Sequence, residues 1–198
     1  DSFSYILIAL VFIKNVLALA ALKWPYDHDL FRDIAQAQTI ADGNFLADPN
    51  YLGETFWYNP LIPSIVAWFA ELSDVPIPLV YTQAGPWLNL LAPLSFYWLT
   101  RKLFGCRIGA FACCAFLLMG APNLPSWMIA GYSPWAFACN AAQSFFYLGL
   151  LLLLRFLKTP TWKNACGLGC LLGLAFLGHS APAILLGSIL TIWLISVF

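Results

Sequence analysis

Long apolar runs separated by short polar joints make up most of this chain, and one extended polar stretch breaks that rhythm. A membrane-crossing helix needs about 20 mostly apolar residues. Six runs approach that length: Ser4–Lys23, Pro78–Thr100, Leu103–Ala121, Pro134–Leu154, Asn164–Gly178 and Ala181–Phe198. Pro86 and Pro93 predict a kink within the second run. The expectation is an all-α fold, a polytopic transmembrane helix bundle of about six spans. The terminal run SILTIWLISVF stops inside an apolar stretch, so residues 1–198 read as a single transmembrane domain, the N-terminal part of a longer protein.

The exception is the segment 24–77. In YDHDLFRDIAQAQTIADGNF, Leu30, Ile34, Ala37 and Ala41 recur at i, i+4, i+7 and i+11, the apolar stripe of an amphipathic helix. Asp29, Asp33 and Gln36 are expected on another face, and Gly43 is placed to end the helix. A second helix is expected over about Pro60–Leu72. At 1.5 Å per residue its 13 or so residues reach roughly 20 Å, too little for a hydrocarbon core of about 30 Å, so it should lie in the interface. The turn-rich ADPNYLGETFWYNP joins the two.

Composition sharpens this picture. Hydrophobic residues make up 62% of the 198 positions and charged residues 9%, against roughly a quarter charged in a soluble domain. The net charge is zero, yet the signs are segregated. Eight of the nine carboxylates lie between Asp27 and Asp74, and none follows Val75. No Lys/Arg stripe with interleaved aromatics exists, which excludes a nucleic-acid footprint. Arg101, Lys102 and Arg107 flank one turn and Arg155, Lys158 and Lys163 another, so both turns are expected in the cytoplasm. The segments 24–77, 122–133 and 179–181 then face outside. Trp24, Trp57, Trp127, Tyr132 and Trp135 fall on that side, as an interfacial aromatic belt would. The localisation implied is an integral, multi-pass protein of a bacterial-type plasma membrane, in contact with membrane lipids.

Several residues in this pattern carry chemistry. Asp27 and Asp29 follow the first span; each is a candidate N-cap for the next helix and a candidate general base at the membrane surface. Asp33 beside Arg32 reads as a solvated helix face, Asp42 as helix-end solvation and Asp48, before Pro49, as a turn former. Glu54 sits between Gly53 and an aromatic run, where a carboxylate needs water or a partner. His179 ends the fifth run. It is either an interfacial imidazole bonded to a carbonyl or a group facing the same outer cavity as Asp27 and Asp29, cationic against an anion or neutral as a hydrogen-bonding group. Lys14 lies mid-span, where ionisable residues are rare. The six cysteines lie in or beside apolar runs and read as small hydrophobes; Cys166 and Cys170 are four apart, but no His or carboxylate joins them, so no metal site is expected.

The order of these features resembles the GT-C superfamily of membrane glycosyltransferases, which use polyprenyl-phosphate sugars. A first span ends in an acidic motif, YDHD. An amphipathic helix ending in Gly follows, LFRDIAQAQTIADG, then the aromatic–Pro stretch GETFWYNPLIP with a second interfacial helix, then short spans with cytoplasmic Arg, YWLTRKLFG. The layout is similar to that of aminoarabinose and protein O-mannosyl transferases and covers most of the chain. The acidic pair of those proteins is Asp–Glu, where this chain has Asp27–His28 with Asp29 next. Spacing to Phe31, Asp33 and Ile34 favours Asp27 as the matching position, with Asp29 the runner-up. A Lys precedes the Pro pair of their outer loop, where Asn59 precedes Pro60 here, and a Lys occupies the position of His179.

The resemblance implies an inverting transfer. The donor's tail lies between helices and its phosphate near the outer surface. Asp27 or Asp29 removes the acceptor hydroxyl's proton. Glu54, Tyr58, Asn59 and His179 contact substrate, and a cation offsets the leaving phosphate: His179, Lys23 or a divalent metal, which some members use. No other cofactor is implied. Two other classes compete: a transporter or channel subunit, with Lys14, Gln83, Asn89, Asn140 and Gln143 as polar groups near the midplane, and a non-catalytic scaffold subunit of the same fold.

Overall fold

The computed structural model describes residues 2–118 and 131–197, and the chain there is all-helical. The helices are α1 (Ser2–Leu19), α2 (His28–Ala41), α3 (Leu61–Ser73), α4 (Ile77–Asn89), α5 (Leu91–Phe104), α6 (Cys106–Leu118), α7 (Ala138–Lys158), α8 (Trp162–Gly178) and α9 (Ser180–Val197). The one bridge outside them pairs Ala47 with Thr55 in the turn-rich stretch between α2 and α3.

The ends of α2 follow from local chemistry. Asp27 is extended and its carboxylate accepts the N–H of Asp29 at 2.9 Å, satisfying one orphan donor of the first turn. At the other end Gly43 takes φ +86°, with Gly43 N–H bonded to the Ile40 carbonyl and Asn44 N–H to that of Thr39, a Schellman stop. Asp42 accepts from the Gln38 amide at 2.9 Å. Asp48 accepts the N–H groups of Asn50 and Tyr51 and makes the expected turn.

Leu30, Ile34 and Ala37 of α2 meet Ile62, Val66, Ala67 and Ala70 of α3, Ile77, Val80 and Tyr81 of α4, and Ala136–Ala141 at the start of α7. This core welds the outer segment 24–77 onto the bundle. A smaller cluster of Ile8, Tyr97 and Cys113 joins α1, α5 and α6. The face of α3 turned away from this core leaves Ile65, Trp68, Phe69 and Leu72 exposed.

Two helices, α1 and α7, are long and apolar enough to cross a membrane, or three spans if the bent pair Leu61–Ser73 and Ile77–Phe104, at 116°, counts as one. Among the described residues this is fewer than the six expected. The run Pro78–Thr100 divides at Leu90, three residues before Pro93, which has no N–H to carry the ladder across the join. The apolar helix Trp162–Gly178 has 17 residues, about 26 Å of rise, and Cys106–Leu118 is helical up to the last described residue before position 119.

The expected aromatic belt is divided. Trp24 and Trp57 are exposed, but Tyr132 is buried and donates to the Pro86 carbonyl at 2.6 Å, and half-buried Trp135 packs edge-on against Tyr26. Trp127 and most of segment 122–133 lie outside the described residues, as do the last residues of the expected span Leu103–Ala121. The six thiols are free, and Cys106, Cys166 and Cys170 are exposed, which departs from the reading of all six as buried hydrophobes. Lys14 is exposed on α1, beside buried Asn15.

Candidate functional site

Asp33 occupies a place the sequence reading gave to solvent. It is 2% exposed. The correction has a simple geometric cause: Asp33 lies three residues after Leu30 and four before Ala37, so it shares their stripe. Gln36, also assigned to the polar face, is 1% exposed, and neither of its amide atoms has a partner among the described residues.

A buried carboxylate must be paired, and Asp33 is. Its Oδ1 accepts from Nε and Nη2 of Arg32 at 2.9 and 2.7 Å, and its Oδ2 accepts the Tyr81 hydroxyl of α4 at 3.3 Å. The Arg32 guanidinium lies over the Tyr58 ring, 4.0 Å from its centroid, and its Nη1 is 3.5 Å from Asp29. The Asp29 side chain is 48% exposed, so that last contact contributes little, about 0–1 kcal/mol, and leaves the carboxylate open to water. Tyr58 meets His179 edge-on, with ring centroids 6.3 Å apart.

Electrostatics follow from burial and neighbours. Burial pushes the Asp33 carboxyl above its ordinary range, against the pull of Arg32 and the Tyr81 hydrogen bond. Burial acts to lower Arg32, but the Asp33 charge and hydrogen bonds outweigh it and the guanidinium is held above its usual value. Tyr58 is raised by burial, opposed by Arg32. His179 is lowered by burial and by Arg32. Its Nδ1 accepts the Ala181 N–H at 3.2 Å, so the neutral ring carries its proton on Nε2. His179 thereby ends α8, through its own N–H to the Ala175 carbonyl at 2.8 Å, and caps α9. Of the two states considered for His179, the neutral donor fits this geometry, and the cation of the cluster is Arg32.

The expected site residues thus fall into three groups. Asp29, Tyr58 and His179 converge through Arg32. Asp27 is spent on the N-cap, which favours Asp29 as the reactive carboxylate, the reverse of the order given by spacing. Asn59 donates its amide to the Phe176 carbonyl in the last turn of α8, tying the outer segment to the α8–α9 corner. Glu54 is exposed in the bridged turn, and its side chain makes no hydrogen bond or ion pair among the described residues. Lys23 is exposed as well.

Arg32, Asp33 and Tyr81 were missed as a functional unit, as was Cys139 in the first turn of α7, which is electrostatically coupled to Asp29, Asp33 and Tyr58. No group of three or more His, Cys, Asp or Glu among the described residues is arranged to hold a metal. α3 and α4 line an apolar cleft of about 650 Å³, and Asp29, Arg32, Tyr58 and His179 are not among its walls. Its walls include Val66 and Val80, which belong to the core around Tyr81. The arrangement combines a water-accessible carboxylate, a fixed guanidinium and a neutral imidazole donor. No known protein family, curated protein or solved structure matches the chain.

Proposed function

We propose that the protein is an inverting, membrane-embedded glycosyltransferase of the GT-C type, taking its sugar from a polyprenyl-phosphate donor. The observation that carries this reading is the convergence of Asp29, Arg32, Tyr58 and His179 from three separated segments, in a chain that also holds an apolar cleft between α3 and α4. A lipid-linked phosphate needs an apolar bed for its tail and donors for its charge. A hydroxyl acceptor needs a base in contact with water.

In this reading Asp29 removes the proton of an acceptor hydroxyl as its oxygen attacks the anomeric carbon. The bond from that carbon to the phosphate oxygen breaks, and its electron pair leaves with the polyprenyl phosphate. Arg32, with N–H groups left over after Asp33, and the Nε2–H of His179 stabilise the charge that develops there.

The helices arrange as the multi-pass, six-span bundle of the sequence reading, with α4–α5, α6, α8 and α9 crossing in addition to α1 and α7, in a bacterial-type plasma membrane. Arg155 and Lys158 end α7 about 30 Å along its axis from its first turn at the site. The basic end belongs in the cytoplasm, so the site faces outside. A transporter draws less support: Gln83 donates to the carbonyls of Ala20 and Leu22, and Asn89 to those of Ser133 and Trp135, so both are structural ties rather than a polar path.

The test is transfer from a radiolabelled polyprenyl-phosphate sugar by the purified protein in nanodiscs. Asp29→Asn and Arg32→Gln should each abolish measurable transfer, while Asp27→Asn should retain it. Full activity in both of the first two variants ends the proposal.

A further inference from the structure

Arg32 and Asp33 are neighbours in sequence, so on α2 they point about 100° apart. Asp33 faces the core and Arg32 its edge, with side-chain exposures of 3% and 28%. Their bond therefore runs sideways across the helix surface. One Asp33 oxygen takes two N–H groups of the guanidinium, the other is held by Tyr81 from α4, and the flat of the guanidinium rests on Tyr58. Edge and face of the guanidinium are thus both fixed.

Stability alone does not explain a carboxylate at this place. A leucine at position 33 would extend the stripe of Leu30, Ile34 and Ala37, and replacing a buried ion pair by apolar groups is often neutral or stabilising. What the carboxylate adds is orientation. An arginine side chain free to rotate loses that freedom when it grips a ligand, and a clamped one has lost it already.

We infer that Asp33 and Tyr81 are positioning residues that hold Arg32 in register for a phosphate group at the mouth of the site. They act through the guanidinium and touch neither the sugar nor the acceptor. The inference rests on the donor reading above, and it adds that affinity for the phosphate is set in part by a hydroxyl on α4, one helix away from the ligand.

The experiment measures binding of polyprenyl phosphate without sugar, and KM for donor and acceptor separately, in Asp33→Asn, Asp33→Leu and Tyr81→Phe. Asp33→Leu is included because it completes the apolar stripe and leaves Arg32 able to hydrate, so it should fold. Both Asp33 variants should weaken phosphate binding and raise donor KM about 10- to 100-fold, and Tyr81→Phe about 3- to 10-fold, with acceptor KM unchanged. Unaltered phosphate binding in the Asp33 variants overturns the positioning role and leaves the donor reading intact. Parallel rises in both KM values, or a fall in kcat alone that tracks the folded fraction, overturn it as well by making the pair merely structural. A wild-type protein that binds no polyprenyl phosphate overturns the donor reading and this inference together.

Discussion

Gly85 is where the bundle is most tightly closed. A Cβ built there would lie 2.0 Å from the Pro134 carbonyl oxygen, 2.5 Å from the Trp135 carbonyl carbon and 2.7 Å from the Ala136 nitrogen. All three are backbone atoms, so no side chain can swing aside. In Gly85→Ala the 134–136 segment must retreat by roughly 1.4 Å to restore ordinary contact. That shift stretches the Asn89 bonds to Ser133 and Trp135, now 2.9 and 2.8 Å, and the Tyr132 bond to Pro86, now 2.6 Å, beyond useful range. Overpacking of about 1–3 kcal/mol and about 1 kcal/mol for each of the three bonds lost give roughly 4–6 kcal/mol. For a chain of this size that lowers Tm by about 10 °C or more. The same retreat moves Phe137 and Cys139 at the start of α7, so turnover should fall with it. The assay is thermal unfolding in detergent, followed by tryptophan fluorescence and near-ultraviolet circular dichroism. Gly173→Ala is the control: nothing lies within 4 Å of its Cβ, and alanine should stabilise the helix by about 0.5–1 kcal/mol. A Gly85→Ala protein that melts with the wild type and the control would refute the close approach.

The two acids at the start of α2 should separate cleanly. Asp27→Ala loses a cap worth about 1 kcal/mol with turnover per folded molecule retained, whereas Asp29→Asn loses at least about 100-fold in turnover with stability nearly unchanged; the opposite pattern in denaturant midpoints and initial rates would exchange their roles. Glu54→Gln should alter neither quantity in the same two assays. His179 is lowered in the folded protein, so the unfolded chain binds more protons and stability rises with pH through the window below its ordinary value of 6.5. On acidification the ring loses the Nδ1 lone pair that accepts from Ala181. His179→Asn, which keeps a capping acceptor that does not titrate, should flatten the difference between denaturant midpoints measured at roughly pH 5 and roughly pH 7.5. Asp33, raised by burial, contributes with the opposite sign in a window that opens near 3.8.

Where a feature depends on its near neighbours in the chain, it could be read from the sequence. The stripe of α2, its Asp27 start, its Gly43 stop, the Asp48 turn and the length of α3 all rest on contacts within five residues. That Asp29 and His179 share one neighbourhood, joined through Arg32 and Tyr58, was legible as well, because the order of the apolar runs sends both to one end of the bundle. Asp33 was misplaced because its charge and its bond to Arg32 were weighed above its spacing; i+3 from Leu30 and i−4 from Ala37 was the signal. Tyr81 and Cys139 sit in apolar runs, and nothing local distinguishes them from core. The partner of Asn59 lies 117 residues away, beyond any pattern. Among the described residues fewer helices pass as spans than the six apolar runs, because average hydropathy registers apolar content and does not register the break at Leu90 between α4 and α5.

The segregation of charge and the chemistry of the site have one physical origin. α7 begins beside the acids and ends in Arg155 and Lys158, and α4–α5 begins beside Asp33 through Tyr81 and ends in Arg101 and Lys102. Both helical runs therefore carry cations away from the site, to the end where a cytoplasmic leaflet would hold them. What remains at the other end is mostly anionic, with Arg32 and exposed Lys23 as its cations, and of these Arg32 is the one held within the cluster. Arg32 is tethered there to a carboxylate that is itself buried. Asp33 is 2% exposed and presents almost no oxygen surface to a ligand, while the guanidinium edge it leaves over faces Asp29 and water. The negative charge nearest the cation is thus placed where it orients without competing, and the exposed carboxylate, Asp29, remains free to take a proton.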